Sequence, residues 1–75
     1  MLTAAGPLHI NVVILDSGVV VHAGSKVSVT VARQSAKVCR VSGKYVRFKE
    51  DGFCKVDVKV RLRGKVVSTG SFVYA

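Results

Sequence analysis

Glycine-containing turn signals cut this chain into short, valine-rich runs, and that punctuation decides most of what it can fold into. Runs of strand length that recur about every eight to twelve residues, each closed by glycine and small polar residues, mark an all-β sandwich or barrel. Ile10–Leu15 is a compact apolar run ended by Asp16-Ser17-Gly18, and Val19–Ala23 is ended by Gly24-Ser25. Lys26–Val31 alternates cleanly, with Val27, Val29 and Val31 on one face and Ser28 and Thr30 on the other. Lys44–Lys49, Cys54–Arg63 and Lys65–Tyr74 complete the set. β-Branched side chains are stiff and pack well on a pleated surface, so the residues that fill these runs favour strands as well. The expected fold is all-β, a small barrel or sandwich of about six antiparallel strands.

One segment reads two ways. At period 2, Val31–Arg40 continues a strand and then begins another. At period 3.6 it places Ala32, Ala36 and Cys39 on one face, in residues that favour helix. A short helix near 32–40 is thus the one alternative element. Residues 12–29 and 58–75 also align at an offset of 46, a likeness that shared strand-turn-strand grammar explains without duplication. No linker or low-complexity tract interrupts the chain, which reads as a single basic β domain over 1–75. At 75 residues one hydrophobic core is barely sufficient, so a staple or a partner subunit is expected to help.

The register of 44–63 follows from burial. Glu50-Asp51-Gly52 suits a three-residue hairpin loop with glycine in the left-handed position. Such a loop sets Phe48 opposite Cys54 and Val46 opposite Val56, apolar against apolar. A two-residue loop would set Val46 opposite Asp57, which burial of one face forbids. The outer face of this expected hairpin carries Tyr45, Arg47 and Lys49 beside Lys55, Asp57, Lys59, Arg61 and Arg63. It is one basic surface with a tyrosine.

The charge points the same way. The net charge is +8, from twelve Lys and Arg against four acids, and residues 1–25 hold a single charged side chain, Asp16. A one-sign excess this dense on a small domain implies a polyanionic partner. Nucleic acid is the expected one, or another polyanion, held at Tyr45, Arg47, Lys49, Lys55, Lys59, Arg61 and Arg63. With one aromatic on the face, phosphate attraction is expected to outweigh base reading.

The remaining chemistry is sparse. Cys39 and Cys54 are the only cysteines. If Ser42-Gly43 is a two-residue turn, Cys39 falls opposite Val46, and the cysteines sit on strands flanking 44–49, roughly 9–10 Å apart. A disulfide needs Cα atoms within about 7 Å. Buried free thiols are therefore expected on that register, in keeping with a reducing compartment. Adding His9 and His22 gives no short ligand spacing, so no metal or other cofactor is expected. Asp16-Ser17 with His22 resembles a dyad only on paper, because Asp-Ser-Gly is an ordinary turn. No acid–base pair or nucleophile can be named, and the chain is expected not to be an enzyme.

The longest stretch without a formal charge, Met1 to Leu15, is too short to span a membrane and contains Pro7 and Asn11. It has no basic start either, and the expected location is cytoplasmic. Two functions remain in view. One is a non-catalytic nucleic-acid-binding module. The other is a structural or assembly protein, a particle subunit or small interaction domain, whose uncharged N-terminal third is the contact surface. Ile10, Val12, Val13, Ile14 and Val20 would form that homo-oligomer interface, since strands with one wet face would leave alternate apolar residues exposed.

Overall fold

The computed structural model describes residues 7–75. In chain order the elements are β1 (Leu8–His9), α1 (Ile10–Ser17), β2 (Lys26–Val31), a 3₁₀ turn (Arg33–Ser35), β3 (Cys39–Ser42), β4 (Tyr45–Phe48), β5 (Cys54–Leu62) and β6 (Lys65–Tyr74). The strands form two three-stranded antiparallel sheets, ordered β1-β4-β3 and β2-β5-β6. The expectation of a mostly β fold holds; the sheets do not close into a barrel. The first six residues of the uncharged stretch from Met1 to Leu15 lie outside the described residues.

The larger sheet is built on the strict alternation of β5, with one bulge in β6 opposite Val60 and Arg61. In β5 the residues Cys54, Val56, Val58 and Val60 are buried, while Lys55, Asp57, Lys59 and Arg61 point the other way. Val27, Val29 and Val31 of β2 pair with Val60, Val58 and Val56, so valine meets valine along the inner face. β6 joins β5 through Arg63-Gly64, both with positive φ (53° and 81°), the signature of a type I′ hairpin turn. The inner face of β6 is small where the chain crosses it: a side chain on Gly70 would stand 2.5 Å from the Ser17 carbonyl oxygen.

Ile10–Leu15 is a helix, not the expected strand. As a strand it would bury either Asn11 or Asp16, because each alternates with apolar neighbours. As a helix it turns Ile10, Val13, Ile14 and Ser17 inward and leaves Asn11, Val12, Leu15 and Asp16 outside. Both polar residues then reach water, which decides between two readings that a short apolar run leaves open. The ends are capped. The Asn11 amide donates to His9 Nδ1 at 3.1 Å, and Gly18 takes the left-handed conformation that ends helices. The Tyr74 hydroxyl donates to Asp16 at 2.7 Å and fastens the helix C-terminus to β6. Val19–Ala23, also expected as a strand, is an irregular strap in which Val19 packs on the core and the Val20 amide donates to Ser68 Oγ. The likeness of 12–29 to 58–75 therefore joins a helix, strap and strand to a hairpin.

The helix weighed for 32–40 is reduced to one 3₁₀ turn. Buried Ser35 anchors it, donating to the Phe53 carbonyl and accepting from the Lys55 amide, both at 2.9 Å. β3 and β4 are joined at Gly43-Lys44, one residue later than expected, so Cys39 lies opposite Phe48 and not Val46. The expected pairing of β4 with β5 through Glu50-Asp51-Gly52 is absent. That loop carries the chain from one sheet to the other, with the Lys49 amide donating to the Val38 carbonyl at 2.7 Å. Val46 and Val56 both face inward as expected, but across a shared core with Val13, Cys39, Cys54 and Val58.

This crossing overturns the reading of free thiols. With β3 and β5 on different sheets, Cys39 and Cys54 face each other across the core at a Cα separation of 5.9 Å and are joined by a disulfide. The bond closes a loop with a sequence separation of 15, for which chain entropy gives a stabilisation of about 3 kcal/mol. Reduction is therefore expected to lower the melting temperature by more than about 10 °C, measured by circular dichroism with and without a phosphine reductant.

Tyr74 supplies a second test. Burial first, then the hydrogen bond to Asp16 and the negative charge of that carboxylate, keep its hydroxyl protonated well above the usual tyrosine range. A pKa raised on folding stabilises fully below the unfolded value of about 10 and is lost as pH rises toward the folded value. The stability advantage of wild type over Tyr74→Phe is expected to hold at neutral pH and shrink above about pH 10, read from denaturant curves at both.

Candidate functional site

The outward face of β2-β5-β6 is set by register. Lys26 lies opposite Arg61, Ser28 and Thr69 flank Lys59, Thr30 and Ser71 flank Asp57, and Lys55 lies beside Val73. Thr30, Asp57, Lys59, Thr69 and Ser71 line a shallow open groove along the middle of this face. Beyond Arg61 the tight turn adds Arg63, while Lys65 pairs with Leu62 and so takes the inward side of the strand's alternation. Arg63 is the one non-glycine residue with positive φ among the described residues. Asn, Asp and Gly suit that position in a type I′ turn, and an arginine there carries backbone strain while projecting a base at the tip.

The smaller sheet presents a second basic cluster. Arg40 lies opposite Arg47, and Tyr45 sits between His9 and Ser42. The Arg47 guanidinium carbon is 5.9 Å from the Tyr45 ring centre, and His9 meets that ring edge-on at 5.2 Å. β1, β3 and β4 contain no Asp or Glu. Their other faces carry Val46 and Cys39 into the core, so this cluster is turned away from the core and from the first face.

The expected single surface is thus two. Lys55, Lys59 and Arg61 share the outward face of β5, with Arg63 at its tip. Tyr45 and Arg47 belong to the other sheet, and Lys49 follows β4 in the crossing loop. Arg40 and His9 are not among the expected binding residues, and Lys26, expected off the binding face, lies on it opposite Arg61. The alternation of Lys26–Val31 already put Lys26 on the polar side; which strand it would pair with was not legible. For the expected interface, Val13 is fully buried, and Ile10 and Ile14 are half-buried, Ile14 packing on the core. These side chains serve the fold of one chain. Val12 and Val20 stay exposed, as do Val21 and Leu15, the last at 79% the most exposed large apolar side chain among the described residues.

Other groups are committed to structure. Ser17 Oγ donates to the Ile14 carbonyl at 2.7 Å, and Asp16 accepts from Tyr74, so neither is bonded to His22. The disulfide leaves neither cysteine as a thiolate ligand. Among the described residues no three His, Cys, Asp or Glu side chains gather as a metal site. No helix among them is long and apolar enough to cross a membrane. Comparison with protein-family models, with curated proteins and with solved structures gave no match.

Like charges directly opposite on neighbouring strands destabilise a sheet. Replacing Lys26 by threonine is therefore expected to raise the melting temperature by about 1–4 °C at low salt. The gain should shrink as salt screens the pair in wild type. Unfolding followed at two ionic strengths checks both.

Proposed function

We propose that this domain is a non-catalytic binding module that holds nucleic acid by its phosphates on the outward face of β2-β5-β6. The observation that carries the reading is the direct opposition of Lys26 and Arg61, with Lys59 and Arg63 gathered at the same end of the sheet. A fold that tolerates repulsion in register and a strained arginine at the tip gains most when a polyanion lies across both. Within the three strands no aromatic side chain stands on that face, since Phe72 and Tyr74 pair with the inward residues Val56 and Cys54, and exposed Phe53 precedes β5 at the end far from Arg61. Stacking on bases is therefore not available there, and binding is phosphate-dominated with low specificity. The commitment of Asp16 and Ser17 to structural hydrogen bonds supports a non-catalytic role. The disulfide withdraws the thiol-based support for a cytoplasmic setting, and an oxidising compartment or a particle exposed to one is the better reading.

A second reading, an assembly subunit that forms homo-oligomers, is favoured by the exposure of Leu15 and Val20 in a segment whose one charged side chain is Asp16. Sizing the protein at micromolar concentration with and without an oligonucleotide separates the two. An oligomer indifferent to the oligonucleotide would favour assembly.

At about 150 mM salt, changing Lys26 and Arg61 together to alanine is expected to weaken oligonucleotide binding by tenfold or more. The slope of log K against log salt should also become shallower by about two. Lys37→Ala, off this face, should change affinity far less. Equal losses from both variants, in fluorescence anisotropy titrations, would reduce the face to diffuse charge.

A further inference from the structure

The cluster on β1-β4-β3 is left unexplained by a ligand lying across the other sheet. Arg40 and Arg47 stand opposite each other in the register of β3 and β4. Arginine presents a planar fork of donors that fits phosphate oxygens, and a pair in register can share one phosphate or hold two neighbouring ones. His9 accepts from the Asn11 amide through Nδ1, so in its neutral form the proton lies on Nε2, available as a donor. Tyr45 lies against both His9 and Arg47, offering a ring face and a hydroxyl within the same cluster. This is the composition of a small phosphate-binding patch with one stacking platform.

Its position gives it a separate role. The two outward faces look away from one core, and the shorter axes of the molecule measure 20 and 19 Å. Screening falls off over about 8 Å at physiological salt, so the two basic clusters act on their ligands independently. We propose that the β1-β4-β3 face is a second phosphate-binding site, and that one chain thereby bridges two segments of nucleic acid. The inference rests on the reading of the first face as a nucleic-acid surface. The second site has fewer bases, so it is the weaker one and fills at lower salt.

The test counts ligands per chain. At about 50 mM salt, isothermal titration with a single-stranded oligonucleotide of about eight nucleotides is expected to show two bound per wild-type chain. Arg40→Gln with Arg47→Gln should take one, and Lys26→Gln with Arg61→Gln should also take one, at lower affinity. All four residues are exposed on strand surfaces, so circular dichroism should match wild type. The single change Arg47→Gln gives an independent check. Energy transfer between donor- and acceptor-labelled oligonucleotides should rise with wild type and be lost in both double variants. Self-association would alter the transfer but not the count per chain. One oligonucleotide per wild-type chain, or two in the Arg40 and Arg47 variant, would overturn bridging and leave the first face standing. Absence of oligonucleotide binding in wild type, with capture by heparin or without it, would overturn both readings.

Discussion

The molecule depends on β5, the one strand that is paired on both sides and linked covalently to the opposite sheet. Its inward residues Cys54, Val56, Val58 and Val60 are all buried, and each has a partner on β6. Its first residue closes the disulfide, and the amide of its second residue is held by Ser35. Among the described residues no fully buried side chain is larger than valine. A core of such small groups gives limited hydrophobic stabilisation, because the transfer free energy scales with apolar area removed from water. The crosslink at the start of β5 answers the shortfall by restricting the unfolded chain. Small domains below about 80 residues commonly need such a staple.

The same strand fixes the chemistry of the surface. Inward valines at every second position oblige Lys55, Asp57, Lys59 and Arg61 to share the other face. Pairing then adds Lys26 from β2, and the tight turn adds Arg63. The basic end of the sheet is therefore a by-product of register as much as of composition. Asp57 interrupts the row of bases and stands among hydroxyls from Thr30, Thr69 and Ser71. It keeps the positive charge concentrated toward the hairpin tip.

Strand identity was legible where alternation was clean. Lys26–Val31 and the closing hairpin stand as the sequence reading had them, within a residue, because a buried valine face allows one register. The run Ile10–Leu15 was misread because valine and isoleucine favour strands locally, while the decision was tertiary: only a helix sends both Asn11 and Asp16 to water. The pairing of Val46 with Val56 was half legible. Their inward direction followed from alternation, but nothing local distinguishes a neighbour in the same sheet from one across the core. That ambiguity cost the disulfide, since the geometric objection to it assumed one sheet. It also merged two basic faces into one, placing Tyr45 and Arg47 beside Lys59 when the core lies between them.

The two like-charge pairs bear on why a marginal fold keeps them. Each pair opposes folding in the free domain, and each is relieved when a polyanion supplies the missing negative charge. Stability and ligand binding are then linked, because a ligand that binds only the folded state stabilises it by mass action. If the domain binds a polyanion as proposed, that linkage would add to what a core of small side chains and a disulfide supply. The arrangement places the opposed charges on surfaces, where water and salt moderate the repulsion in the free state. A phosphate backbone laid over either pair displaces that solvent and meets two bases at once. On the proposed reading, the repulsion held in each register is what a polyanion would relieve, so the same pairs that weaken the free fold would favour the bound one.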